Sequence, residues 1–233
     1  MKSYLQALKE VSSLPINLED TSRGRQRKSP TDVQRVLMRG AIGLLWGLCG
    51  GLVCWLVSGD RVVGAVLGTL AVFVLRHFTC MKDEKSAIVE LSKMLMSGLH
   101  DNDLRATYSS LVALGLFLLR PFCTYVILVH NAWLWLPIAA MLGYTASLDC
   151  GVMTKLSQKH WIPAVVVTVL FGAVISKLIP NCSGVFMFAL VSTALCWLLP
   201  AALQRFNIRF SAVSALYVCE AFALLLGVAA LAV

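Results

Sequence analysis

Charged side chains are scarce in this chain. Asp, Glu, Lys and Arg make up 14% of its 233 residues, while 58% are hydrophobic and the mean hydropathy is +0.78. Soluble domains carry about 25% charged residues, so the composition excludes that class. Metal-ligand spacing is missing as well. The eight cysteines form no CxxC pair and no Cys/His ligand pattern, which excludes a structural zinc framework. Cys49, Cys54, Cys123, Cys196 and Cys219 fall inside apolar runs, where cysteine behaves as a small hydrophobe, so no disulfide framework is expected either. Residues 1–36 are mostly polar and lead into no short apolar segment with a small-residue cleavage site. A cleavable signal peptide is therefore not expected. Neither an internal repeat nor a low-complexity tract is visible.

What is present are long apolar blocks. They fall at 38–57, 62–81, 108–128, 131–149, 161–179, 184–204 and 210–233, and most have the length needed to cross about 30 Å of hydrocarbon as a helix. The expected fold is all-α: a polytopic integral membrane helical bundle of about six to seven transmembrane helices. Only 62–75 of the second block is cleanly apolar. Fourteen residues alone also suit a re-entrant or buried segment. The expected organisation is a cytoplasmic amphipathic helix and basic linker over 1–36, then a helical membrane domain over 37–233. An inner loop lies at about 82–107.

Within 3–14, Tyr4, Leu5, Leu8, Val11 and Leu14 recur at helical spacing, as in a helix lying on a bilayer surface. Ser29-Pro30-Thr31-Asp32 reads as a helix start, with Ser29 as cap and Pro30 in the first helical position. In the inner loop, Ile88, Leu91 and Leu95 have the spacing of a connector helix packed at the membrane surface.

The net charge of +8 would suggest nucleic acid in a soluble chain, but here it follows topology. With the N-terminus in the cytoplasm, 17 of the 20 Lys and Arg residues fall in inner segments. Only Arg61 and Lys177 fall outside, and Arg120 lies within a span. The opposite orientation violates the positive-inside rule at nearly every loop. The expected location is a bacterial or archaeal cell (inner) membrane, with the lipid bilayer as partner and no nucleic acid.

Two charges sit near the middle of apolar blocks, Arg120 in the third and Glu220 in the last. Each costs at least about 2.5 kcal/mol on insertion scales, so each should face the bundle interior. Pairing Arg120 with Glu220 is the economical arrangement. Either a helix-register pair or a substrate role satisfies it.

The stretch RHFTCMKDEKS, Arg76 to Ser86, gathers a His, two acids and two Lys where the second block ends. Read with other pieces in order, it resembles the cobalamin synthase family, the adenosylcobinamide-GDP ribazoletransferases. SSLPI resembles that family's T-R-L-P-V opening. GAIGLLWGLCGGLVCWLV resembles its glycine-rich first span, LRATYSSLVALGLFLLR its S-R-x-G-T-Y/H-G segment, and CEAFALLLGVAAL its G-E-L-x-F-L-L ending. The family signature H-L-D-G-L-A-D-T-x-D-G aligns on His77. Asp83 stands at the second aspartate, Thr79 at the first and Ser86 at the third, with Cys80 in place of a glycine. The T-G-D element expected before the last span is absent, and Ile208, Arg209 and Phe210 lie near that place. The G-T-x-G turn becomes Ala106-Thr107-Tyr108-Ser109.

The resemblance implies a membrane transferase that joins adenosylcobinamide-GDP to the 5′-hydroxyl of α-ribazole, releasing GMP. It implies corrinoid nucleotide and α-ribazole as substrates, Mg²⁺ as cofactor, and other corrinoid-assembly enzymes as partners. Phosphoryl transfer relies on positioning and on neutralised oxygen charge, and magnesium takes hard oxygen ligands. His77 and Asp83 are then the catalytic candidates. Thr79, Asp83, Ser86 and Glu84 are candidate metal ligands, and Asp103, Thr107 and Asp149 candidate substrate contacts. Acids in a Lys-bearing loop are also ordinary solvated side chains, and a His at a span end also anchors among headgroups. Two alternatives stay open: a catalytically silent relative acting as a scaffold or corrinoid binder, and a small transporter component motivated by Arg120 and Glu220.

Overall fold

The computed structural model describes residues 2–12, 30–57, 59–97, 102–152, 162–176 and 211–232. The side chains of residues 2, 81–84, 102, 146, 148–152, 162, 176, 212, 230 and 232 lie outside the described set, as does the whole expected span 184–204. Among the described residues every regular element is an α-helix: α1 Lys2–Val11, α2 Asp32–Leu56, α3 Arg61–Leu95, α4 Asn102–Val129, α5 Trp135–Val152, α6 Ile162–Ser176 and α7 Ala212–Ala232. Three stretches are long and apolar enough to cross a membrane: Asp32–Leu56, Arg61–Cys80 and Asp103–Val129. Shorter apolar stretches, Pro163–Ile175 and Val213–Ala229, lie in α6 and α7.

Helix ends follow local chemistry. The start of α2 lies two residues later than the Ser29–Pro30 pattern predicts. Thr31 is the cap: its hydroxyl accepts from Gln34 N while the Gln34 side chain accepts from Thr31 N. This reciprocal capping box satisfies two backbone donors at once. Asp60 caps α3 by accepting from Val62 N and Val63 N. At the end of α4, Asn131 adopts φ 55° while Asn131 N donates to Leu128 O and Ala132 N to Ile127 O. That is a Schellman termination with Asn at the left-handed position, and it turns the chain directly into α5.

α3 decides the shape of the bundle. Residues 62–81 belong to one unbroken helix of 35 residues, about 52 Å long at 1.5 Å per residue. Thirty ångströms suffice to cross hydrocarbon, and the apolar stretch Arg61–Cys80 supplies that length, which leaves about two-fifths of α3 beyond it. The segment 82–107 is therefore not a loop with a separate connector helix. Its first half continues α3 to Leu95, and α4 begins at Asn102. On the projecting part, Ala87, Ile88 and Leu91 are buried against Tyr217 and Ala221 of α7, with Ala113 and Leu116 of α4 packed alongside.

The central layer is α2, α5 and α7, with α3 lying against α2 and α4. Close approach needs small residues where helices cross. A Cβ on Gly43 of α2 would lie 2.7 Å from Pro137 Cα of α5, and one on Gly143 of α5 would lie 2.6 Å from Glu220 Cα of α7. α1 docks on α2 with Ala7 and Val11 buried and Tyr4 and Leu5 exposed, while Glu10 pairs with Arg35 at 2.8 Å. Exposed Val66, Leu70, Val74, Leu111, Leu114, Leu118 and Phe122 form the outer faces of α3 and α4.

Gly143→Ala should force α5 and α7 apart, because the new methyl meets backbone that cannot swing aside. Overpacking of this kind costs about 1–3 kcal/mol. The expected result is a lowered melting midpoint in detergent; an unchanged midpoint would place the two helices further apart than described.

Candidate functional site: a buried arginine–glutamate centre

Four helices bring their charged residues to one point. Arg39 lies on the α2 face that also buries Val36, Gly43, Trp46 and Gly50. Arg76 shares the inward face of α3 with Ala65, Thr69 and Val72. Arg120 comes from α4 and Glu220 from α7. All four are at least nine-tenths buried. Arg76 Nη2 lies 2.5 Å from Glu220 Oε1, Arg39 Nη2 lies 2.8 Å from Oε2, and Arg120 Nη2 lies 3.5 Å from Oε2. Both carboxylate oxygens are thus occupied by guanidinium donors, the planar group best suited to that geometry.

The remaining contacts hold the forks in place. Arg39 Nη1 donates to Val11 O at 3.2 Å and to Cys80 Sγ at 2.9 Å. Arg120 Nη2 donates to Tyr217 O at 3.0 Å. Trp46 lies under two of the cations, 5.3 Å from the Arg39 guanidinium carbon and 4.6 Å from that of Arg76, and Tyr217 lies 3.7 Å from Arg120. Desolvated contacts of this kind contribute about 2 kcal/mol or more. Trp46 Nε1 is fixed in turn by donating to Thr79 Oγ1 at 3.2 Å. Tyr217 donates its hydroxyl to Leu116 O.

The residues singled out from RHFTCMKDEKS separate. His77 is exposed on the outer face beside Phe78, with the ring centroids 6.0 Å apart. Thr79 is buried, accepts from Trp46, and has its hydroxyl 3.1 Å and 3.2 Å from the carbonyls of Leu75 and Arg76. Ser86 is exposed. Thr79 and Ser86 are seven residues apart on one helix, about 10.5 Å of rise. That exceeds what two short hydroxyl side chains and two magnesium–oxygen bonds of about 2.1 Å can span. A single ion cannot take both. Among the described residues no group of three or more His, Cys, Asp or Glu side chains could hold a metal. The described donors therefore do not fit magnesium. The side chains of Asp83, Glu84 and Asp149 lie outside the described residues. Asp103 and Thr107 are exposed on the first turns of α4, joined by the Thr107 hydroxyl bond to Asp103 O at 3.1 Å.

Arg120 and Glu220 do meet, but sequence reasoning missed Arg39 and Arg76. Both stand near the ends of apolar runs, where Lys and Arg read as interfacial topology markers. Helical phase marks them out instead: Arg39 lies four residues before Gly43 and seven before Trp46, and Arg76 four after Val72. No protein-family model, no curated protein and no solved structure matches the chain.

A second polar contact fixes the projecting part of α3. Glu90 Oε1 accepts from Ser211 N at 2.9 Å, and Oε2 accepts from the hydroxyls of Ser211 and Ser214 at 2.5 and 2.6 Å. Partial burial pushes the Glu90 carboxyl up, but these three bonds outweigh it and hold the group below the usual carboxylate range.

Removing the shared carboxylate should be the most damaging single change. Breaking a buried ion pair costs about 3–5 kcal/mol, so Glu220→Gln is expected to lower the melting midpoint in detergent more than Arg120→Gln, whose contact is the longest of the three. Equal midpoints for Glu220→Gln and wild type would remove the centre from the stability of the fold. The Glu90 contribution has the opposite reach in pH. Its depressed pKa gives stability that is fully present above about 4.3, the ordinary Glu value, and lost as pH falls through the folded value. Wild type should therefore lose more stability than Glu90→Gln between pH 6 and pH 3. Parallel pH profiles for the two proteins would contradict this.

Proposed function

We propose that the chain is a polytopic membrane protein of six to seven spans with its N-terminus in the cytoplasm, and that it carries out cobalamin-synthase chemistry. In this reading adenosylcobinamide-GDP and α-ribazole are joined at the cytoplasmic end of the bundle and GMP is released. One observation supports it above the others. The acid-bearing stretch Lys82–Ser86 continues the same helix that delivers Arg76 to a centre of three guanidiniums less than two turns earlier. The three guanidiniums are buried and committed to Glu220, so the cationic groups that a phosphoryl substrate needs near developing oxygen charge would come from Lys82 and Lys85 of the same stretch. The ordered resemblances over most of the chain support the same reading. The basic segments assigned to the inner side would raise the local concentration of phosphorylated substrates. His77 and Asp83 remain the catalytic candidates. Mg²⁺, if used, depends on Asp83, Glu84 and Asp149, because Thr79 is committed to Trp46 and to its own helix.

That commitment of Thr79 favours a second reading. The position aligned with the family's first aspartate carries a neutral, buried and hydrogen-bonded hydroxyl. Loss of that charge weakens any cation site, as expected of a catalytically silent relative that binds corrinoid or scaffolds other assembly enzymes.

Purified protein in nanodiscs, given adenosylcobinamide-GDP, α-ribazole and Mg²⁺, should release GMP, and Asp83→Asn should abolish release while leaving expression intact. No GMP from wild type beside an active complete-signature relative would remove the transferase reading. Corrinoid binding without turnover would leave the silent relative in its place.

A further inference from the structure

Buried hydroxyls in this bundle are satisfied locally. Thr69, Thr79, Thr145 and Thr168 each donate to the carbonyl four residues earlier, the usual bond of a helical threonine. Ser12, Ser92 and Ser147 bond to carbonyls one turn back, and Ser214 bonds to Glu90. Thr124 is the exception among the described residues. It is 3% exposed, yet its hydroxyl bonds neither to Arg120 O, four residues earlier, nor to any other group. Buried polar groups are nearly always paired, so an idle hydroxyl points to something it can meet. Arg39 Nε also lacks a partner among the described residues, but it is sealed on every side. Thr124 Oγ1 is not sealed, and the open space beside it is a cavity of about 20 Å³ between α3, α4 and α7.

The wall of this cavity is largely apolar, with Val72, Phe73 and Phe117 on it. Its other polar groups are engaged. Thr69 and Tyr217 donate to Ala65 O and Leu116 O, Arg76 meets Glu220, and Arg120 meets Tyr217 O and Glu220. Thr124 is thus the uncommitted hydroxyl of the described wall. Phe117 marks the entrance: it lines the cavity, yet it is 43% exposed near the middle of the apolar stretch Asp103–Val129, beside exposed Leu114 and Leu118. The cavity therefore opens sideways, toward hydrocarbon. On this measure a water-sized group needs about 10–15 Å³, so one polar group fits inside and the rest of a larger molecule stays in the mouth. Water itself needs about two to four polar partners, more than this wall leaves free. An alcohol suits both halves of the site, since its chain dissolves in the bilayer and its hydroxyl accepts from Thr124. We infer that the cavity between α3 and α4 binds the hydroxyl end of a membrane-dissolved alcohol. Thr124 is its hydrogen-bond donor, and its alkyl chain lies across Phe117 onto the outer faces of the two helices. The inference goes beyond the transferase reading and does not rest on it.

The test is photolabelling of the full chain in phosphatidylcholine nanodiscs with a diazirine analogue of 1-octanol. Saturable adducts are expected on Phe73 and Phe117, lost on adding excess 1-octanol but not on adding octane. Thr124→Val keeps the size of the side chain and removes the hydroxyl, so it should lose the saturable labelling, while Thr124→Ser should keep it. Labelling of exposed Leu48 and Leu52 on α2 should rise in proportion to the probe and stay the same in both variants. Because the hydroxyl has no protein partner to lose, Thr124→Val should also melt no lower than wild type in detergent. Labelling at Phe73 and Phe117 that never saturates, equal competition by octane, or saturable labelling that survives in Thr124→Val would each overturn the assignment. A lowered midpoint for Thr124→Val would overturn it too, by showing that the hydroxyl already holds a partner such as water.

Discussion

The arrangement of this bundle depends on one carboxylate. Glu220 stands on the last described helix and takes guanidinium donors from three others, with both oxygens in use. Four helices that otherwise meet largely through apolar surfaces are thereby fixed in rotation and in height. Apolar contacts between helices in lipid supply little of that information, because lipid tails are as apolar as the side chains they replace. A buried charge can be satisfied only at one register. Sliding α3 by one residue would carry Arg76 round by about 100°, away from Glu220 and Trp46 together. Buried ion pairs are weak evidence for stability and better evidence for register, and that is the role the geometry supports here.

The centre forms only because small residues let the backbones approach. Gly143 sits against the backbone of Glu220, and Gly43 against Pro137, so α5 approaches α2 and α7 at backbone distance at these two points. Bringing α7 this close places Glu220 within reach of Arg39 on α2. The length of α3 supplies the other condition. Arg76 stands fifteen residues after the helix start, about 22 Å along its axis. That is deep enough to be sealed by Trp46 and Thr79, and near enough to the far side for the projecting turns to dock on α7 through Glu90. The two polar contacts lie on the same pair of helices, and Ala87, Ile88, Tyr217 and Ala221 fill the space between them.

Much of this was legible in the residues, though not all of it by the same signal. Block length predicted helices that coincide with α2 and with most of α3 and α4, because hydrocarbon thickness sets a length that composition records directly. The two charges near the middle of apolar blocks, Arg120 and Glu220, pointed to each other because each is costly alone. Arg39 and Arg76 were hidden because position along a run says nothing about rotation around the helix. Their inward direction follows only from phase against Trp46, Gly43 and Val72. The continuation of α3 through Lys82–Ser86 was also hidden, since a charged stretch after an apolar one reads as an exit and a loop. Nothing in Met81–Leu95 breaks a helix, and Ala87, Ile88 and Leu91 supply an apolar face that α4 and α7 cover.

α1 completes the centre from outside the bundle. Its final carbonyl, Val11 O, accepts from Arg39 at 3.2 Å, and a helix C-terminus carries the equivalent of about half a negative charge. The described centre has more cationic than anionic side chains, so a partial negative end placed against Arg39 lowers the field that Arg39 and Arg76 exert on each other. The Glu10–Arg35 pair and the Gln34–Ser3 hydrogen bond hold α1 in that position. This gives a physical reason for an amphipathic helix that buries Ala7 and Val11 yet leaves Tyr4 and Leu5 exposed. Its apolar side seats it on α2, and its end faces the guanidinium. α1 is thus an electrostatic part of the core, joined to it by a backbone group that no side-chain pattern announces.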